Sequence, residues 1–435
     1  MIIKKRLLIW SDSPTVPTGF GNVAKNLFSE LNKTYDVAIL GINEFGTHRH
    51  DVTKYHIYPV ERTDMLGLEK FPHILKDFNP EIILLFQDIF NIEYAVPIIQ
   101  KWNKDVPLLF YFPIDGTPVN QAWKGILQSG AKLITYTKWG INAIRKAHPE
   151  LKNTSIEFLY HGVDPAVFFK LPAEARRRFK EERGWDNKFI VLSVNRFQPR
   201  KMLPLVLKGH ALFTKGYKEC KCGNIYLANE ERCDLNNCGP EDVIETVPGN
   251  KDAFLYVHAN AQERMMGPGR ANSLQAHMLN VGFVNEDINK TITAFGGNLY
   301  ENPLPESIMN ILYNVADVNV STTLGEGVGL SLVEAAAAGT TSIAPNHSSI
   351  PEMLGDTGHI VNNCAQINIA NDNGHLRPVI AMKPYLEALR TEYEKWVHNG
   401  RQKVINEAAI ERTQQLFVWD DIRAKMEGWI KECLK

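Results

Sequence analysis

Glu326 and Glu334 stand eight residues apart, on either side of a loop that carries Gly325, Gly327 and Gly329. The apolar run from Leu330 onward has helical spacing, so the first glutamate belongs to the loop and the second to the helix's second turn. Both carboxylates can then face one pocket. An ionised carboxylate accepts hydrogen bonds from paired hydroxyls such as those of a sugar or a ribose. Glycines let backbone come close to a ligand, and N–H groups at a helix start favour a phosphate or an anionic transition state. The combination suits a diphosphate-linked ligand. Two cations five residues apart, Arg196 and Lys201, follow the apolar run Phe189-Ile-Val-Leu-Ser-Val. Charge building on a departing diphosphate needs fixed positive partners of this kind.

A second constellation is Cys220, Cys222, Cys233 and Cys238, within residues 217–241. Both halves end in Cys-Gly, and ten residues separate the inner cysteines. Four thiolates can satisfy tetrahedral zinc and staple a loop that has little core of its own. Such a zinc is structural, because no coordination position stays open for catalysis. The spacings C-x-C and C-x4-C depart from the usual C-x2-C, which leaves free or paired thiols as the alternative. The insertion is a candidate contact for an acceptor or a partner. Cys364 and Cys433 read as isolated buried thiols.

These groups need a frame. Short apolar runs bounded by turn residues alternate with segments of helical period, the pattern of β-α-β units and a parallel sheet. Candidate strands are Arg6 to Trp10, Asp36 to Leu40, Glu81 to Phe86, Leu108 to Phe112 and Leu133 to Tyr136. A second alternation runs from Phe189 through Phe254-Leu-Tyr-Val and Val315 to Val320, ending near Ser342-Ile-Ala. The charged stretch between them, near residues 165–186, reads as a linker, and its Arg176-Arg177-Arg178 as a solvated helix face. Residues 380–435 read as helices with Trp396, Trp419 and Trp429 available for packing.

The length of 435 residues suits two domains, and 44% hydrophobic with 22% charged residues is the composition of a chain that folds throughout. A formal net charge of -1 gives no global field toward nucleic acid or an anionic membrane. The opening apolar run is too short for a signal-peptide core, and no segment approaches a membrane span. Six cysteines, four of them clustered, argue against a disulfide scaffold and point to a reducing cytoplasm.

The motif E-GVGLSLV-E, preceded by Ala-Asp-Val and followed by Ala-Ala-Gly, resembles the E-x7-E signature of retaining glycosyltransferases of the glycogen-synthase-like group, glycosyl transferases group 1. The resemblance implies the GT-B fold: two Rossmann-like α/β domains whose parallel sheets face a cleft, with a C-terminal helix crossing back. It implies an N-terminal acceptor domain over residues 1–170, a nucleotide-sugar domain over 186–410 that carries the cysteine insertion, and a crossing helix over 411–435. By the same resemblance Glu326 contacts the donor sugar, Glu334 binds the ribose, and the loop amides of Gly327, Val328, Gly329 and Leu330 bind sugar and phosphate. Arg196 and Lys201 neutralise the diphosphate. His161-Gly-Val-Asp164, Pro351-Glu352 and Trp419 fall in register with further family positions, and Gly19-Phe20-Gly21 takes the place of the N-terminal glycine loop.

Asp115, at the carboxyl edge of the Leu108 strand, lies where open α/β sheets bind ligands and where relatives carry a His or Asp that touches the transferred sugar. Capping of the turn at Gly116 is its structural alternative. The family mechanism transfers a sugar from a nucleotide-diphosphate donor to a carbohydrate, lipid or small-molecule hydroxyl with retention, without a protein nucleophile or a catalytic metal. Transfer to hydroxymethylated bases in DNA and a non-catalytic nucleotide-sugar-binding protein are the alternatives.

Overall fold

The structure is a computed structural model and describes residues 3–46, 55–231, 233, 238–260, 274–295 and 303–435. Seven strands form the N-terminal sheet: β1 (Arg6–Asp12), β2 (Asp36–Ile42), β3 (His56–Pro59), β4 (Ile82–Phe86), β5 (Leu108–Phe112), β6 (Lys132–Thr135) and β7 (Ile156–Phe158). All pair parallel, in the order β3-β2-β1-β4-β5-β6-β7. Helices cover both faces of such a sheet, so its strands need apolar residues on both sides. Leu7, Leu8, Ile9 and Trp10 accordingly have no exposed surface.

The C-terminal half contributes β8 (Phe189–Val194), β9 (Tyr217–Cys220), β10 (Ile225–Leu227), β11 (Val243–Val247), β12 (Ala253–His258), β13 (Ile292–Ala294), β14 (Val318–Val320), β15 (Thr341–Pro345), β16 (His359–Val361), β17 (Asn363–Asn368) and β18 (Leu376–Ile380). Six of them form a second parallel sheet, β13-β12-β8-β14-β15-β16. The five strands expected in the N-terminal half are all present. The edge strands β3 and β7 escaped the sequence reading because four and three residues carry almost no period. β14 starts at Val318 rather than Val315, which still belongs to the helix Glu306–Val315.

Two antiparallel pieces stand outside the alternation. The order β10-β9-β11 makes a small sheet around the cysteines, and β17 pairs with β18 as a hairpin. The small sheet joins the C-terminal end of the helix Leu203–Lys215 to the start of β12. In a parallel α/β layer both of those ends lie at the edge opposite the ligand-binding loops. The insertion is thus rooted at the edge away from the cleft. Cys364, expected buried, is exposed on β17, because this strand is covered on neither face.

The last helix, Trp419–Cys433, returns to the N-terminal domain. Val163 N–H donates to the Phe417 carbonyl at 2.8 Å, and Arg423 donates to the Asn26 carbonyl at 3.1 Å. The Trp419 indole packs on Gly162, where an added Cβ would lie 2.5 Å from the ring. Pro351-Glu352 closes the opposite side. The Glu352 carboxylate accepts the N–H groups of Lys138 and Trp139, each at 2.8 Å, and the Tyr160 hydroxyl at 2.7 Å. Two otherwise unbonded amides at the start of the helix Lys138–Ala147 are thus satisfied across the domain boundary.

Candidate functional site

In the C-terminal sheet the chain reverses its order between β8 and β14, which leaves a crevice beyond their carboxyl ends. The loop after β8 and the glycine loop after β14 fill that crevice and are stitched together. Leu324 N–H donates to the Arg200 carbonyl at 2.7 Å, and the Thr322 hydroxyl donates to the Met202 carbonyl at 2.8 Å. The pairing delivers Lys201 Nζ to 2.5 Å from Glu326 Oε1, with Arg200 Nη1 3.8 Å from Oε2. Glu326 is 8% exposed, and its backbone is fixed by Ser348 and Ser349 at 2.9 and 2.8 Å. Burial would raise this carboxyl, but Lys201 and Arg200 hold it below the usual carboxylate range. Gly329 starts the helix Leu330–Ala337 in the left-handed region, with φ of 81°.

The N-terminal sheet reverses between β1 and β4, and the groups beyond those strands are acidic. Asp12 accepts hydrogen bonds from Gln87 at 2.8 Å and from Asn43 at 3.2 Å, and one from the Thr18 hydroxyl. Asp115, past β5, lies between two guanidinium groups, 3.3 Å from Arg200 Nη1 and 3.1 Å from Arg377 Nη2. Burial pushes its carboxyl up, and the charges of Arg200, Arg377 and His375 outweigh that and hold it at about 2. Asp88 starts the helix Ile89–Trp102 without capping it. Burial and the nearby carboxylates Asp115 and Asp12 push Asp88 up to about 7 against the pull of Arg200. The two halves meet closely here: a Cβ on Gly325 would lie 2.0 Å from the Asp115 carbonyl oxygen. Gly19 opens the helix Gly19–Leu27 onto free space, whereas Gly21 is packed against the carbonyls of Val16 and Ser13.

Glu334 lies beside the crossing helix. Tyr313 Oη donates to it at 2.7 Å, and it lines a cavity of about 180 Å³ with Asn22, Lys25, Asp164, Leu330 and Trp419. Burial, with Glu306 adding, pushes its carboxyl up to about 7 against the tyrosine hydrogen bond. The loop therefore turns Glu326 toward the paired cations, and helix Leu330–Ala337 holds Glu334 beside the crossing helix. Arg196 is exposed at the end of β8, and its charge acts on Asp12. It is Arg200, four residues on, that stands against Glu326 and Asp115. Beneath Tyr111 and Tyr136 sits His161, buried, with neither ring nitrogen hydrogen-bonded. Burial lowers it to about 3, so it is neutral.

The Sγ atoms of Cys220, Cys222, Cys233 and Cys238 all lie within 4.8 Å of one another. A zinc with Zn–S near 2.3 Å sets its four sulfurs about 3.8 Å apart, so the cluster fits the ion after small adjustments. The sulfurs of Cys222 and Cys233 are 3.6 Å apart. The Arg176 to Arg178 run is taken up locally: Arg177 bonds Glu174 and Glu181, Arg178 bonds Glu182 at 2.9 Å, and Arg176 donates to the Leu171 carbonyl.

Sequence reasoning missed Arg200, Arg377, Asp88 and Asp12. Adjacency to Lys201 was the available signal for Arg200. Arg377 carries none, since its partner Asp115 is 262 residues away.

Residues 243–372, which include the glycine loop and both glutamates, match the family described as Glycosyl transferases group 1. No curated protein sequence matches the chain. Among solved structures it resembles sucrose-phosphate synthase from Thermosynechococcus elongatus, with a TM-score of 0.65, 15% identity and 99% of each chain covered. A glycosyltransferase from Rickettsia africae gives a TM-score of 0.65 at 16% identity over 100% of both chains. Anabaena HepE, solved in complex with UDP-glucose, gives 0.63 at 14% identity over 98% of this chain and 99% of that one. The fold is therefore GT-B, as the E-x7-E resemblance implied.

Proposed function

We propose that the protein transfers a sugar, a hexose in our reading, from a nucleoside-diphosphate donor to an acceptor hydroxyl with retention of anomeric configuration. The observation that carries this is the Lys201–Glu326–Arg200 group set in the sheet-reversal crevice beside a glycine loop and a helix N-terminus. The match of residues 243–372 and the neighbour solved with UDP-glucose support it. Lys201 and Arg200, with Arg196 at the rim, stabilise charge on the departing diphosphate, and the amides of Gly327 to Leu330 add to them. Glu326 orients the sugar, Glu334 the ribose, and Asp115 the transferred ring from the other domain. The diphosphate takes the acceptor proton on the face it leaves. Gly19 leaves room for the donor, and Gly21 holds the loop's shape.

A structural zinc on the four clustered cysteines completes the reading. All six cysteines are free of disulfides, in keeping with a reducing cytoplasm. Among the described residues no helix is long and apolar enough to cross a membrane. The net charge of -1 and the local carboxylate partners of Arg177 and Arg178 favour a carbohydrate, lipid or small-molecule acceptor over DNA.

Calorimetry and thermal shift with nucleoside diphosphates and their glucose conjugates test the donor site. UDP-glucose at 100 times its dissociation constant is expected to stabilise the fold by about 2.7 kcal/mol. Failure of every nucleoside diphosphate to bind sinks the reading, and binding without turnover on any acceptor makes the protein a scaffold.

The ribose role predicts a pH dependence. Glu334 is raised to about 7, so it is ionised and able to accept ribose hydroxyls above that pH and protonated below it. UDP-glucose affinity is therefore expected to weaken as pH falls from 8 to 6, and Glu334→Gln to flatten the profile at the weaker level. The sugar conjugate is the right probe, because a terminal phosphate itself titrates near pH 6. A wild-type profile as flat as the variant's removes Glu334 from the ribose site.

A further inference from the structure

The hairpin β17–β18 has no place in the alternation that builds the two sheets, and the contacts of its tip run to the other domain. Leu376 N–H donates to the Thr117 carbonyl at 2.7 Å, forming an antiparallel bridge between these residues. His375 Nδ1 lies 3.0 Å from the Pro118 carbonyl, and Arg377 Nη1 donates to the Asp115 carbonyl at 2.5 Å. Asp372, in the hairpin's own turn, grips the guanidinium at 2.6 and 2.8 Å, so the fork is fixed before it reaches the N-terminal domain. The fit admits no side chain at residue 116, where a Cβ would lie 2.6 Å from Arg377 Nη1.

Under the tip is a cavity of about 20 Å³ lined by Asp88, Phe90, Asp115 and Trp123 from the N-terminal domain and by Asn373 and His375 from the hairpin. Its walls are those of a carbohydrate subsite: carboxylates that accept hydroxyls, and aromatic rings, Phe90 being 37% exposed. Its size is not. A space of this volume holds little more than one water molecule. What limits it is the hairpin, since the floor belongs to the N-terminal domain and the roof, Asn373 and His375, does not.

We propose that the hairpin is a lid over a carbohydrate-acceptor subsite, and that Asn373 and His375 at its tip contact the acceptor and set its specificity. The lid opens by releasing Thr117, Pro118 and Asp115, admits the sugar onto Asp88 and Phe90, and closes over it. This rests on the donor reading above, because the subsite faces the loop of Gly325 to Leu330 from the opposite domain.

Two variants test it, with UDP-glucose as donor and a panel of hexoses, hexose phosphates and disaccharides as acceptors. In the first, Asn373→Ala with His375→Ala is expected to raise the acceptor KM at least tenfold while UDP-glucose affinity by calorimetry changes less than twofold. In the second, Thr117→Cys with Leu376→Cys places a disulfide across the bridge. The oxidised form is expected to lose transfer while still binding UDP-glucose, and reductant to restore it. An unchanged acceptor KM, full transfer by the oxidised form, or a parallel loss of donor affinity in either variant overturns the lid. Wild-type protein that binds no UDP-glucose strikes the donor reading first and the lid with it.

Discussion

Replacing Lys201 with alanine is expected to lower kcat/KM for sugar transfer by about 10²–10³-fold, the cost of removing one fixed donor from developing charge in a closed site. Without ligand, Lys201 is paired with Glu326 at 2.5 Å, and Arg200 lies between Asp115 at 3.3 Å and Glu326 at 3.8 Å. A diphosphate entering beside them takes over as their counter-charge and frees Glu326 to accept sugar hydroxyls. As the bond to the sugar breaks, negative charge on the diphosphate grows, so the lost interaction weighs more in the transition state than in the bound ground state. The fall should therefore appear mainly in kcat, with a smaller rise in donor KM.

The same substitution leaves Glu326 buried with only the more distant Arg200, and removing one partner of a buried pair typically costs about 3–5 kcal/mol. A second substitution separates the two effects. Glu326→Gln in the Lys201→Ala background removes the stranded charge and should return most of the melting temperature without returning activity. Lys201→Arg keeps the charge in a different shape and should fall between. A folded Lys201→Ala protein within tenfold of wild-type turnover would remove Lys201 from the chemistry.

The contrast between Lys201 and Arg377 explains what the sequence made legible. Strand, glycine loop and helix around Glu326 are contiguous, so spacing alone placed the carboxylate in the loop and the helix start at Leu330. Lys201 was found because it follows a strand with an evident apolar run. Arg377 and Asp115 meet only because a hairpin from one domain reaches a loop of the other, and that contact depends on how the two sheets face each other. The strand Asn363–Asn368 is largely exposed and polar, so no apolar period announced it. Arg196 and Arg200 illustrate a finer limit. Both follow β8, and the three-residue turn Pro199–Lys201 decides which of them points inward.

Spacing identified the four clustered cysteines, but only topology located them, and the location sharpens what metal removal should do. The sheet β10-β9-β11 has strands of three to five residues; Tyr217, Ile225, Leu227 and Val247 pack into the domain core, and its outer face has a core of little more than Cys220, Cys233 and Tyr226 with Cys238 and Val243 against them. So small a core cannot offset the chain entropy of its own loops, whereas zinc binding in comparable modules supplies about 10–16 kcal/mol. One zinc per chain is expected by elemental analysis. With zinc bound, exposed Cys364 should react rapidly with a thiol reagent and half-buried Cys433, whose thiol burial pushes up, more slowly, and chelation should add the four clustered thiols. Stripping the metal, or Cys220→Ser with Cys233→Ser, is expected to make residues 217–247 protease-sensitive and to lower the melting temperature, because Glu219 anchors the module to Lys383 at 2.8 Å. UDP-glucose affinity should change little, since the module joins the chain at the sheet edge opposite the cleft. Rapid reaction of the four clustered thiols in protein as purified, with a melting curve indifferent to chelator, would return the cluster to free cysteines. A parallel collapse of donor affinity would mean that the module supports the cleft through the strand it feeds, β12, and not merely the domain's outer edge.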